Sequence, residues 1–253
     1  MNRTAVASSV LLLVPFAMLA MATPGLAQQT SSRVPDVSGI WGWGRCVDGT
    51  GFNCMLIEAD DPRLTDRARA FVAAFDEIAA PKYDCAPMSI PHMYTDPYEY
   101  QIQQLEDRVT LTYEKDDVVR TVWLEGYGHE RPPVNQFFVH GYATGRYEGD
   151  TLVVETTRFT FDPMGLNSDF KMPTSTQKRV TERFTREGEA LLLEVTTEDA
   201  FFLSEPWTYR VRSAPGGEEL TLPWNCDLEA ARQTLRLVPS SYPDDPPVVR
   251  IEQ

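Results

Sequence analysis

Histidine, basic charge and long apolar runs are all scarce in this chain of 253 residues, which holds three histidines and sets 23 Lys and Arg against 37 Asp and Glu. So few imidazoles leave no metal-binding triad at any convincing spacing, although His92, His129 and His140 are free to converge in three dimensions. A formal charge of −14 gives no basic footprint, so nucleic acid is not an expected partner. Gly-x-Ser-x-Gly elbows, phosphate loops and dinucleotide fingerprints are absent from the sequence, and neither a metal nor an organic cofactor is expected. Acidity of this kind reads as solubility outside the cytosol or adaptation to salt rather than as a binding specificity.

Apolar runs are confined to the start of the chain. Arg3 precedes an uncharged stretch from Val10 to Met21, followed by Thr23-Pro24-Gly25-Leu26-Ala27. That is the three-part pattern of a secretory signal peptide cleaved after Ala27, and it is too short to span a bilayer stably. Residues 28–36 read as a flexible lead-in, 37–238 as one domain and 239–253 as a proline-rich tail. Periplasmic or secreted localisation follows, with no stable membrane insertion. Export gives the four cysteines a meaning, because an oxidising compartment favours disulfides. Of the three possible pairings, Cys46 with Cys54 and Cys85 with Cys226 is favoured, since Cys46 and Cys54 flank a turn-rich loop. Zinc is the alternative, but the Cys46 to Cys54 spacing is not the close pair of a structural site.

What is present is β-structure. Gly145 to Thr157 reads as a tight turn at Glu148-Gly149-Asp150 feeding a β-branched strand. Further strands are expected at Val37–Arg45, Tyr100–Glu106, Val109–Glu114, Val118–Glu125, Gln136–Tyr147, Thr151–Phe161, Gln177–Arg186, Ala190–Asp199, Trp207–Arg212 and Glu219–Cys226. Short turns joining neighbours predict an antiparallel meander, closed into a barrel that removes its edges. Asp66 to Ala80 has helical spacing, with Phe71, Phe75 and Ile78 on one face, and is expected to pack outside the sheet or cap one end. Leu228 to Leu237 reads as a short terminal helix.

Gly145–Thr157, Thr181-Glu182-Arg183-Phe184, Glu198-Asp199, Pro206-Trp207 and Cys85-x-Pro87 together resemble an uncharacterised family of secreted bacterial proteins with a Trp-Glu-Gly-Asp-Thr-Leu hairpin. The resemblance spans about Gly39 to Cys226 and implies a mainly β, lipocalin-like (calycin) barrel, but no reaction. Gly39-Ile40-Trp41 suits the first strand of such a barrel. The chain departs from the family at Gly141-Tyr142-Ala143, where Gly-His-Ser is expected, at Tyr147, which stands for Trp, and at Thr174-Ser175-Thr176, where His-Ser-Glu is expected.

Strand alternation selects polar residues that share a face with apolar ones. Glu182 falls with Val180 and Phe184, Asp199 with Val195 and Thr197, and Arg120 with Val122 and Leu124. Phe138, His140 and Tyr142 fall together on the strand expected at Gln136–Tyr147, and Trp207 and Tyr209 line the same interior. A carboxylate buried among apolar groups can serve as a general acid or base, so Glu182, Asp199, His140 and Tyr142 are the catalytic candidates. Arg120, Phe138, Trp207, Tyr209 and the loop residue His129 are the ligand-binding candidates. An ion pair of Glu182 with Arg120 or Arg183, placed only to fill the interior, is the favoured alternative for the carboxylate. The expected function is a cofactor-independent exported enzyme moving a proton on a small, largely apolar or aromatic molecule, as an isomerase, lyase, cyclase or hydratase. A non-catalytic carrier with the same cavity is the second reading, and a surface interaction module the third.

Overall fold

Short turns between β-branched segments do give strands. The computed structural model describes residues 34–49, 51–167, 171–221 and 226–234, all within the compact unit Arg33–Gln253. The leader at 1–27, most of the lead-in and the tail at 239–253 lie outside the described residues.

Among the described residues the strands are β1 (Gly39–Trp41), β2 (Arg45–Cys46), β3 (Tyr100–Gln104), β4 (Arg108–Tyr113), β5 (Val119–Leu124), β6 (Tyr142–Glu148), β7 (Thr151–Thr157), β8 (Asp162–Asn167), β9 (Met172–Thr174), β10 (Arg179–Glu187), β11 (Ala190–Glu198) and β12 (Trp207–Ser213). Two α-helices accompany them, α1 (Asp66–Ala74) and α2 (Leu228–Thr234). Ten strands form one strongly curled sheet, a half-barrel, in the order β1-β3-β4-β5-β6-β7-β10-β11-β12-β2, and β8 pairs with β9 separately. Among the described residues no helix is long and apolar enough to cross a membrane.

The hairpins follow turn chemistry. Gly149 (φ +58) opens the two-residue turn between β6 and β7, and Gly188 (φ +64) does the same between β10 and β11. Left-handed backbone is cheap only for glycine, so these two turns fix the registers Tyr147↔Leu152 and Glu187↔Ala190. Alternation then sends Val180, Glu182 and Phe184 of β10, Leu191, Leu193 and Val195 of β11, and Trp207, Tyr209 and Val211 of β12 into the core. Trp41 is buried with them and donates its indole N–H to the Val37 carbonyl at 3.0 Å.

One pairing departs from the expected antiparallel meander. β5 and β6 run parallel, with Val122↔Ala143 and Leu124↔Gly145, and residues 125–141 form the crossover between them. Parallel neighbours cannot be joined by a tight turn, and here the connection is a long loop. Gln136–Gly141 is accordingly not strand. Gly141 adopts φ +69, which breaks the alternation that would have placed Phe138, His140 and Tyr142 on one face. A Cβ at Gly141 would sit 2.5 Å from Thr156 Cγ2, so only glycine fits where the crossover meets β7. The strand expected through Phe161 likewise ends at Thr157, because Arg158 turns to φ +60.

The helix expected at 66–80 stops at Ala74. Thr65 caps it by accepting the Ala68 N–H, and Phe75 returns to extended backbone before short 3₁₀ turns at Glu77–Ala79 and Pro81–Asp84. Phe71 still stacks on Phe75 and meets Phe161 edge-on, whereas Ile78 is exposed. Glu219–Thr221 is not strand, and residues 222–225 lie outside the described set. Both disulfides take the favoured pairing, Cys46–Cys54 and Cys85–Cys226, which suggests an oxidising extracellular or periplasmic setting.

Candidate functional site

Curling of the sheet brings β4, β5, β7 and β10 around one buried polar group. Glu182 is fully buried at the middle of β10, opposite Val154 and Val195. Arg120 of β5 binds it through two parallel hydrogen bonds, Nη2 to Oε2 at 2.7 Å and Nη1 to Oε1 at 2.9 Å. Tyr94, from the turn His92–Tyr94, donates to Oε1 at 2.5 Å, and its hydroxyl lies 3.0 Å from that of Tyr113. Arg120 also reaches Tyr113 at 2.9 Å and Thr156 at 3.2 Å. Burial and the neighbouring Glu182 charge raise the Tyr94 phenol well above its ordinary pKa, so it stays a donor to the carboxylate. Two charges out of water demand pairing of this kind, which satisfies both Arg120 Nη atoms and leaves its Nε without a partner.

Asp199 is equally committed. It accepts the Ser175 N–H at 2.5 Å, the Ser175 hydroxyl at 2.7 Å and the Phe201 N–H at 3.1 Å. These bonds tie the β11–β12 connection to the segment before β10. Trp207 and Tyr209 pack on each other at 5.1 Å in the core. A void beside Tyr94, Tyr100, Tyr113 and Leu193 measures only about 10 Å³, room for about one water.

Space for a molecule lies elsewhere. A cavity of about 470 Å³ opens between β5, β6 and the crossover, lined by Arg120, Trp123, Phe138, His140, Tyr142 and Ala143 among others. His129, on the crossover, stacks on Trp123 with centroids 4.9 Å apart and planes 8° apart, and its Nε2 makes a short hydrogen bond with the Tyr142 hydroxyl. The Arg158 guanidinium lies over the Tyr142 ring at 5.1 Å. Burial, reinforced by the positive charges of Arg120 and Lys178, lowers His140 to about 4. His140 is therefore a neutral imidazole at pH 7, and its Nδ1 has no hydrogen-bond partner. Of the candidates, Arg120, Phe138, His140 and Tyr142 line one cavity, and His129 touches its wall through Trp123 and Tyr142. Glu182, Asp199, Trp207 and Tyr209 lie in the core instead.

A second group was not anticipated. Lys178, just ahead of β10, is 1% exposed, and its Nζ donates to Ser89 Oγ at 2.9 Å and to the Ile90 carbonyl at 2.8 Å. Ser89 in turn donates to Asp162 Oδ2 at 2.7 Å. Asp162 and His92 line another cavity of about 470 Å³, with Tyr83, Met88 and Met164. Burial holds His92 at about 4 and Lys178 at about 8. Tyr94, Tyr113, Ser89 and Lys178 were missed. Tyr113 carried a signal, as the third inward position after Val109 and Leu111, and so did Lys178, on the face of Val180 and Glu182.

Among the described residues no cluster of three or more His, Cys, Asp or Glu side chains is placed to hold a metal ion. His140 lines the crossover cavity and His129 stacks on Trp123 of its wall, whereas His92 lines the other cavity. No family model, curated protein or solved structure matches the chain.

Proposed function

We propose that this is an exported protein that holds a small, largely apolar or aromatic molecule in the crossover cavity and moves a proton on it without a cofactor. The observation that carries this reading is the hydrogen bond between His129 and Tyr142, a residue of the cavity wall, where Trp123, Phe138 and Val139 supply apolar surface and Arg120, Glu130 and His140 supply polar groups. A phenol in contact with an imidazole can give or take a proton at a ligand atom while the loop histidine relays it. His140 adds an uncharged polar group beside the same space. Isomerisation, elimination, cyclisation or hydration is the class of reaction such equipment serves. Glu182, bound by Arg120 and Tyr94, is assigned to structure.

Two further parts belong to the same proposal. The leader at 1–27 directs export, and the chain belongs with the secreted family it resembles. The curled sheet closes as a lipocalin-like barrel through the β1–β2 segment, a reading supported by hydrogen bonds from Gly42 N to Ala214 O at 2.9 Å and from Gly216 N to Ile40 O at 2.8 Å.

A carrier with the same cavity is the second reading, favoured by the saturation of both inward carboxylates with hydrogen bonds. Solvent-exchange NMR separates the two. The cleaved protein is screened with small aromatic and alicyclic ketones and alkenes in deuterium oxide. The enzyme incorporates deuterium into a bound compound, and Tyr142→Phe and His129→Gln each slow this by about 10²-fold or more. Binding without exchange leaves the carrier, and no binding removes both.

A further inference from the structure

We propose that Ser89 is a second reactive centre, an acyl-accepting nucleophile activated by Asp162 and Lys178 beside the cavity lined by Met88, His92 and Asp162. It does not depend on the chemistry assigned to the crossover cavity.

The geometry is a relay of three side chains. Lys178 Nζ points at Ser89 Oγ from one side at 2.9 Å, and Ser89 gives its own proton to Asp162 from the other at 2.7 Å. A cation and a carboxylate therefore meet through a hydroxyl. That arrangement removes a proton from an alcohol and holds the charge left behind. As a mere fastening it is an expensive one. Lys178 is 1% exposed with Phe159 at 4.1 Å, and an apolar side chain would fill that place without desolvating a charge. His92 supplies an independent sign. It is 5% exposed, lines the cavity, and its Nε2 has no hydrogen-bond partner, although Asp162 and Lys178 act on it electrostatically. A polar atom kept unpaired beside a relay can serve a ligand's carbonyl oxygen.

The step balances with an ester as substrate. Ser89 Oγ bonds to the carbonyl carbon while its proton passes to Asp162 and the carbonyl electron pair moves to oxygen. Collapse re-forms the carbonyl and breaks the ester C–O bond, and the departing alkoxide takes the proton from Asp162. Water then attacks the acyl group by the same route, releasing a carboxylic acid and restoring Ser89. Lys178 stays protonated throughout. Because Ser89 is 1% exposed, the acyl group must be small.

Methanesulfonyl fluoride, whose methyl group meets that size limit, tests this. Ser89 Oγ bonds to sulfur, fluoride leaves, and the serine proton passes through Asp162 to solvent. Disulfide-intact wild-type protein is treated at pH 7 and digested, and the modified serine is located by mass spectrometry. The expected result is modification at Ser89 at least about tenfold faster than at any other serine, abolished when the protein is first unfolded in urea. Asp162→Asn and Lys178→Met each slow it by at least about tenfold, and folded variants hydrolyse 4-nitrophenyl acetate correspondingly more slowly. Native wild-type protein left unmodified at Ser89, or modified no faster than after unfolding, overturns the proposal whatever the variants do.

Discussion

Glu182→Gln separates a structural carboxylate from a reacting one, because the two roles move different observables. In the native protein Glu182 accepts three hydrogen bonds, two from Arg120 and one from Tyr94, and both charged residues are at most 3% exposed. The glutamine side chain keeps one carbonyl oxygen but turns an N–H toward a donor. It leaves the Arg120 cation without its counter-charge in a place water does not reach. Breaking a buried pair from one side costs about 3–5 kcal/mol. For a domain of this size that lowers the melting temperature by roughly 6–20 °C, at about 2–4 °C per kcal/mol. Removing both charges together is different. In Arg120→Met with Glu182→Met no charge is stranded, and Tyr94 and Tyr113 still bond each other at 3.0 Å. Thr156 loses its partner, so recovery is large but incomplete. Thermal melting by circular dichroism on all three variants reads the cycle. A Glu182→Gln melting point within about 2 °C of wild type refutes the structural assignment, since it corresponds to less than about 1 kcal/mol. So does a double variant no better than the single.

Other expectations are as direct. His92 and His140 sit at about 4 in the folded chain, against 6.5 unfolded. The unfolded state therefore binds more protons between those values. Stability is complete above about pH 6.5 and falls toward pH 4, by up to roughly 3 kcal/mol per histidine at 1.4 kcal/mol per unit. Urea midpoints from pH 7 to 4 measure this, and His92→Asn with His140→Asn flattens the slope. Removing Cys85–Cys226, with 141 residues of separation, destabilises more than removing Cys46–Cys54, with 8. Loop entropy gives about 5 against about 2.6 kcal/mol, and paired alanine variants in a urea titration establish the order. Gly141→Ala lowers stability by roughly 2–4 kcal/mol, combining a left-handed backbone with a methyl 2.5 Å from Thr156, which thermal melting detects.

Most of the strands were legible because turn residues announce themselves. Gly149 and Gly188 stand where the backbone must turn left-handed, and the strands β10 and β11 on either side of Gly188 alternate buried and more exposed positions. That alternation put Glu182 and Arg120 in the interior, and the weighing of an ion pair against catalysis came from the same pattern. Parallel pairing of β5 with β6 was not legible. Its cause is a backbone turn at Gly141 inside a segment whose composition, Gln136 to Tyr147, is as β-prone as its neighbours. The Ser89 relay was hidden for another reason. Lys178 lies on the inward parity of Val180, Glu182 and Phe184 in the strand expected at Gln177–Arg186, but its partners are 89 and 16 residues away in sequence. Nothing local in the sequence reports that a distant loop will cover it.

In the proposed function the crossover cavity is a binding site while the Glu182 network only holds the fold together. Native mass spectrometry of the cleaved protein after exposure to small aromatic and alicyclic compounds tests both halves in one measurement. The expected result is one adduct per chain in wild type, still present on folded Glu182→Gln and lost in Val139→Trp, which fills the cavity from a residue 40% exposed at its rim. An adduct that survives Val139→Trp, or one abolished by Glu182→Gln while the fold persists, contradicts it.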